Sequence, residues 1–320
     1  MNLSMKRIFL TGVSGCIGHY VAETLIEKTE HELFLLVRNP AKLQFNVESR
    51  PNVHLLTGDL REIEKYSDLL KTIDTAVLIA TSWGDPTETY EINVVKTLAL
   101  MERLDPEVCQ QVIYFSTASI LDRQGNPMKE AGTIGTDYIR TKYLCHQALP
   151  DLAIASKITT VYPTLVFGGD KNKPYSHLSG GLKDILKWIN LIRWFKADGG
   201  FHFIHAKDIA QVVGYLVDHP PVDGDSREIV LGNAPLTVNQ AIAEIAGYLN
   251  KKIYFGIPLS IALANFFIKV FQIQMADWDR FCLDYRHFTY PQPTSPKTLG
   301  LPAHCSTVAE LLQVSGIEAP

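Results

Sequence analysis

Tyr138-Ile139-Arg140-Thr141-Lys142 sets a phenol and an ammonium four residues apart within a helical pattern, which puts both side chains on one helix face. A free phenol ionises near pH 10, too high for base chemistry at neutrality, as a rule of about that size. A neighbouring ammonium favours the phenolate and could bring Tyr138 into range as a general acid or base. Upstream, an apolar run ends in Phe115-Ser116-Thr117-Ala118-Ser119. Hydroxyls at such an end can orient a carbonyl or alcohol oxygen beside Tyr138, although turns favour Ser and Thr in any case.

A second group of residues suits an anion. Thr11-Gly12-Val13-Ser14-Gly15-Cys16-Ile17-Gly18 follows another apolar run and opens a long helical pattern, with glycine at every third position. Gly12 permits the turn, Gly15 lets backbone amides approach a pyrophosphate, and Gly18 lets helix and strand pack closely. The helix N-terminus adds unpaired N–H groups, so Ser14, Cys16 and Ile17 join the glycines as candidate dinucleotide contacts. The second apolar run ends Val37-Arg38-Asn39 and lacks the carboxylate that would bind the ribose 2′-hydroxyl of NAD. Arg38, assisted by Lys42, suits the 2′-phosphate of NADP instead. NADP is therefore the expected cofactor, with NAD the other choice. Asp59, followed by Leu60, either accepts from an adenine amino group or caps the next helix. Small residues at Ala80 and Thr81 would let a ribose or nicotinamide approach the backbone.

The elements that must position these groups read in βαβ order. Strand-like runs at 7–10, 33–37, 53–56, 76–79, 112–115 and 158–161 alternate with helical patterns at 15–28, 63–70, 90–103 and 137–149. That order predicts an α/β fold with a doubly wound parallel sheet. Beyond 165 the pattern is irregular: a loop at 168–179, helices at 182–195, 209–218, 238–249 and 308–314, and strands at 202–205, 228–231 and 252–255. Residues 1–165 are expected to form a Rossmann dinucleotide-binding domain. Residues 166–320 form a smaller substrate-binding part, with 201–219 and 228–231 returning to the first.

Composition sets the outer limits. The chain has 320 residues, 30 basic against 34 acidic, and a formal net charge of −4. That excludes a generally basic nucleic-acid binder, and the composition fits no disordered, collagen-like or disulfide-framework class. Five scattered cysteines (Cys16, Cys109, Cys145, Cys282, Cys305) and no recognisable secretory signal suggest reduced thiols and a cytoplasmic setting. The apolar stretch 257–275 is interrupted by Pro258, Asn265, Lys269, Gln272 and Gln274, so it reads as a buried or amphipathic helix rather than a membrane span. His202 and His205 are three apart on a strand, on opposite faces, and suggest no metal site. Lys171, Lys173 and Arg193 could bind a substrate phosphate in the variable part, although a solvated basic surface is the first reading. Trp188, Trp194, Phe195, Phe201, Phe266, Phe267 and Phe271 read mainly as core, with one or two free to line an apolar substrate pocket.

Together the glycine loop, the hydroxyl segment Phe115–Leu121 and the Tyr138/Lys142 pair resemble the extended short-chain dehydrogenase/reductase family, the NAD(P)-dependent epimerase/dehydratase group. Val161–Gly168 and Phe203–Ala210 also look like landmarks of that family, and the first adds Tyr162 and Pro163 as cofactor contacts. The resemblance spans nearly the whole chain. It implies that Tyr138 is the acid/base, that Lys142 holds the nicotinamide ribose and lowers the tyrosine's proton affinity, and that Thr117 orients the substrate oxygen, with Ser116 and Ser119 as substitutes. In many relatives, helices equivalent to 90–103 and 137–149 form a homodimer interface.

Departures from the family pattern narrow the reaction. Dehydratases of the group follow the threonine with Asp-Glu, where this chain has Ala118-Ser119. Leu121-Asp122 replaces a frequent Tyr-Gly, and His146 stands where glutamate is often found. These features and Arg38 point to an NADPH-preferring oxidoreductase that interconverts a carbonyl and a secondary alcohol on a small molecule. A nucleotide-sugar epimerase that retains NAD is the second reading, and a non-catalytic NADP-sensing protein the third.

Overall fold

Seven parallel strands form the central sheet: β1 (Arg7–Thr11), β2 (Glu32–Val37), β3 (Val53–Thr57), β4 (Thr75–Leu78), β5 (Gln111–Phe115), β6 (Ile158–Pro163) and a last strand, Glu228–Leu231. The computed structural model describes residues 5–222, 224–270, 272 and 274–320, with Ala264, Phe266 and Phe267 described by backbone alone. The expectations for the Phe266 and Phe267 side chains and for Phe271 therefore lie outside the described residues. The strand order is Glu228–Leu231, β6, β5, β4, β1, β2, β3. Chain direction reverses its lateral progress between β1 and β4, and a crevice opens there at the carboxyl ends of the strands.

Side-chain alternation sorts the sheet into two cores. Ile8, Leu10, Ile113 and Phe115 face α1 (Cys16–Lys28) and the helix Ala206–Asp218. Phe9, Val112 and Tyr114 face the opposite side with Ile92, Leu100, Met101 and Cys145. Strands buried on both faces read as continuous apolar runs, which makes β1, β2, β4, β5 and β6 recognisable, whereas the edge strand β3 is only half-buried.

The irregular half departs further from expectation. The pattern at 182–195 resolves into two helices, His177–Lys187 and Ile189–Ile192, broken at Trp188 and followed by the short strand Phe195–Lys196. Residues 252–255 form no strand; the pairing moves to Ile257–Pro258, beside Phe195–Lys196. Of the helix expected over 257–275, the described residues form Ile261–Val270. Trp188 is not core: it is 63% exposed. Phe201 does pack in a cluster with Phe203, Leu182 and Leu312.

The return segment is locked by buried polar groups. His202 Nδ1 meets the Asn233 carbonyl at 2.7 Å, and its Nε2 accepts the Tyr290 N–H at 3.0 Å. His205 Nδ1 accepts the Lys207 N–H at 3.1 Å and caps the Ala206–Asp218 helix. Asp208 accepts the His304 and Cys305 amides at 2.6 and 3.0 Å, fastening the C-terminal segment. Among the described residues no histidine, cysteine or carboxylate group forms a metal-ligand cluster.

Burial lowers the His205 pKa to about 4, with His304 and Lys207 adding to the effect. The folded value lies below the unfolded one, so this contribution is present above about pH 6.5 and is lost as pH falls through about 4. Asp208 has the opposite sign: burial raises it to about 6, so its protonation favours the fold as pH falls. His205→Asn retains a capping acceptor without the titration. Urea titrations should show the native protein losing about 1–2 kcal/mol more than this variant between roughly pH 7 and 5; equal losses would exclude the histidine.

Candidate active site

A cleft of about 740 Å³ runs across the carboxyl ends of the strands. It is lined by Gly12, Ser14, Gly15, Cys16, Ile17, Gly18, Arg38, Lys42, Asp59, Leu60, Ala80, Thr81, Ser116, Thr117, Ser119, Tyr138, Lys142 and Pro163. The fold thus gathers into one crevice residues that lie up to half the chain apart. Tyr162 is the exception. Its ring is buried beside Trp278 and Tyr290, and its hydroxyl bonds Glu228, because alternation along β6 turns it away when Pro163 faces the cleft.

The glycine end is shaped for a pyrophosphate. Gly12 has φ +74°, and a Cβ at that position would lie 2.6 Å from the Ala80 nitrogen. A Cβ on Gly18 would lie 2.0 Å from the Gly12 oxygen, so only glycine lets α1 come this close. Helix α1 begins at Gly15 with no side-chain cap and no acidic residue in its first turn. Its first N–H groups therefore face the cleft with their partial positive charge uncompensated by a side chain. Arg38 and Lys42 stand farther along the same wall. Arg38 is 66% exposed and lies 3.9 Å from both Asp59 and Glu88, too far for tight pairing. Asp59 caps the following 3₁₀ turn through the Arg61 N–H at 2.9 Å, and the Arg61 guanidinium holds its carboxyl below the usual range. The capping role is thus occupied.

At the other end, the helix Asp137–Ala148 carries Tyr138 and Lys142, and Thr117 starts the turn after β5. The Tyr138 hydroxyl lies against the Thr117 hydroxyl. Lys142 is 2% exposed, and its Nζ donates to the Phe115 carbonyl at 2.7 Å. Burial lowers this ammonium to about 8, so it stays largely protonated at neutrality. For Tyr138 the expected direction is reversed. Burial pushes the phenol up to about 12, with Thr117 opposing, because the ring is covered while the Lys142 charge is turned to Phe115. In this state Tyr138 is a proton donor. Among the described residues, Ser116 Oγ, buried at the cleft wall, has no hydrogen-bond partner, so a ligand polar group would fit beside it.

Two residues near this end escaped the motif reading. Asn93 is fully buried in a widened π turn, Glu91–Lys96. Its Oδ1 accepts from Thr81 Oγ1 at 2.9 Å and the Ser82 N–H at 2.8 Å. Its Nδ2 donates to the Ser82 carbonyl at 3.1 Å and to Thr141 Oγ1 at 3.0 Å. The amide thereby ties the loop after β4 to the Tyr138 helix. A polar residue between Ile92 and Val94 was its only sequence signal. Trp83, on that loop, stacks over the Tyr138 ring with centroids 3.7 Å apart and a 12° interplanar angle. No local pattern announces a contact across 55 positions.

A model of the NAD-dependent epimerase/dehydratase family matches residues 8–232. The chain belongs to that family. Its central sheet has the fold of solved structures that carry NAD. Among curated proteins it is similar to sterol demethylase protein B of Methylococcus capsulatus, 26% identical over 217 residues. The alignment spans 63% of either chain, so this protein covers under two thirds of that relative's length. Among solved structures, gox2253 superposes with a TM-score of 0.68 at 19% identity, covering 98% of this chain and 99% of the other. The Bordetella bronchiseptica enzyme WbmG, solved with NAD and UDP, gives a TM-score of 0.64 at 13% identity, covering 99% and 100%. At these identities the structural likeness concerns the fold.

Removing the Asn93 amide leaves buried polar groups of this family member unpaired. Asn93→Ala is expected to cost about 2–4 kcal/mol in urea unfolding. A cost under about 1 kcal/mol would mean the loop and helix are held by other contacts.

Proposed function

We propose that this family member is an NADPH-preferring oxidoreductase acting on the carbonyl or secondary alcohol of an apolar small molecule. The observation that carries the reading is the distribution of charge and apolar surface along the cleft. Among the described residues, its lining cations are Arg38, Lys42 and Lys142. The end beyond Tyr138 is walled by Trp83, Leu165, Tyr175, His177 and Leu178, with no lysine or arginine. A sugar nucleotide's diphosphate would find no cationic partner there, whereas an apolar skeleton would be covered. The sterol-related name of the Methylococcus capsulatus relative agrees with an apolar substrate. Arg38, without a carboxylate at the end of β2, favours the 2′-phosphate of NADP over NAD.

In this reading Gly12, Ser14, Gly15, Cys16, Ile17 and Gly18 hold the pyrophosphate, and Asp59, Leu60, Ala80, Thr81 and Pro163 flank the rest of the dinucleotide. NADPH, when bound, supplies the hydride. Thr117 and Ser116 orient the substrate oxygen, and Tyr138 donates its proton to that oxygen. Lys142 keeps its charge at the floor of the site, anchored on Phe115, and holds the cofactor ribose. Trp83 closes over the reacting region and excludes water. Exposed Tyr90, Val95 and Leu144 on the two helical faces support a homodimer, and five free cysteines support a reducing, cytoplasmic setting.

Calorimetric titration should give a Kd for NADPH at least about tenfold tighter than for NADH, and Arg38→Ala should erase the difference. Equal affinities in the native protein would remove the NADP assignment. Tyr138→Phe should lower kcat on a hydrophobic ketone by about 10²–10⁴ while leaving NADPH affinity intact. Full turnover in that variant would overturn the mechanism. Tightly retained NAD and conversion of a sugar nucleotide without net change in cofactor absorbance would favour the epimerase instead.

A further inference from the structure

Far from the glycine loop, two segments build an exposed apolar surface. The helices His177–Lys187 and Ile189–Ile192 lead through Arg193 and Trp194 into Phe195–Lys196, and residues 251–259 run alongside. The Ile257 N–H donates to the Trp194 carbonyl at 2.7 Å, the Leu259 N–H to the Lys196 carbonyl at 2.7 Å, and Arg193 Nη1 to the Lys252 carbonyl at 2.9 Å. Trp194 stacks on Phe255 with centroids 4.7 Å apart and on Tyr254 at 6.3 Å, and the Arg193 guanidinium lies over the indole at 4.4 Å. Around this hub Tyr254, Trp188, Phe255, Ile185 and Leu191 are all more than half exposed. Exposed apolar groups gathered in this way, and not scattered singly, mark an interaction surface.

The charges identify the partner. Lys183, Lys187, Arg193, Lys196, Lys251 and Lys252 are interleaved with these apolar groups, and the sole carboxylate of residues 177–196 and 251–259 is Asp184, paired with Lys187 at 2.6 Å. This local excess of positive charge sits on a protein whose formal net charge is −4. We propose that this surface docks onto a lipid bilayer bearing anionic headgroups, with the aromatic and aliphatic side chains entering the interface and the lysines meeting phosphates. A second copy of the chain is a poorer occupant, since a twofold contact would set this cationic patch against itself. Exposed Ile185, Leu191 and Ile257 have no use in stacking on nucleic-acid bases. The surface adjoins the cleft: Tyr175, Ser176, His177 and Leu178, at the start of the first helix, line its mouth. A docked enzyme would therefore present its opening near the lipid. The proposal goes beyond the reading of the active site and does not depend on its cofactor or reaction.

The test is sedimentation of the full chain with vesicles of phosphatidylcholine alone and of phosphatidylcholine mixed with phosphatidylglycerol. Binding should be confined largely to the anionic vesicles, weaken as salt is raised, and shift tryptophan emission to the blue. Trp188→Ser with Phe255→Ser, and separately Lys251→Glu with Lys252→Glu, should each reduce partitioning at least about tenfold. Thermal midpoints should stay unchanged in the Lys251/Lys252 variant, because those side chains are exposed and take no part in the packed ring stack. No sedimentation with anionic vesicles overturns the proposal. So does a concentration-dependent dimer that the Trp188/Phe255 change abolishes in a protein that ignores vesicles.

Discussion

The contact on which the site depends is the approach of α1 to the turn after β1. Gly18 sits so close to Gly12 that even one methyl group would strike the Gly12 carbonyl. That approach aims the helix N-terminus into the crevice and lets the Gly12 turn rest against the end of β4. The backbone amides of the turn then act as fixed donors that need no reorganisation when an anion arrives. A bulkier residue would move the helix outward and widen the part of the cleft that these backbone amides build.

The opposite end is organised by side chains and burial. Asn93 joins the loop after β4 to the Tyr138 helix, so two walls of the cleft are tied together by hydrogen bonds. Between those walls, the same burial that makes Tyr138 harder to ionise makes Lys142 easier to neutralise, because low polarity penalises either charge. The phenol keeps its proton, and the ammonium keeps its charge through a carbonyl partner. A closed cleft thus changes the balance that a tyrosine–lysine spacing suggests when read in isolation.

The two halves of the molecule follow different physical rules. In the sheet, strands buried on both faces and helices packed between them leave little freedom in sequence. The part beyond 165 is held by particular polar locks, such as Asp208 on the His304 and Cys305 amides and His202 on Asn233 and Tyr290. Such locks leave outer faces free to vary, and there the apolar and basic residues of 177–196 and 251–259 accumulate.

The sequence by itself determined the parallel sheet, the glycine turn and the helix bearing Tyr138 and Lys142, since each is local or periodic: burial on two faces, a backbone requirement for glycine, a four-residue helical step. Nearly all the site residues it named line the cleft, Tyr162 being the exception. Tertiary structure alone decided that Tyr162 turns inward and that Trp188 is exposed. It likewise decided that Trp83 covers Tyr138 and that Asn93 bridges two walls. Those outcomes depend on which element lies opposite, and an amide or an indole acquires its partner only when distant segments meet. The direction of the Tyr138 shift has the same origin: spacing fixes the neighbour, but the depth of the cleft fixes the cost of charge.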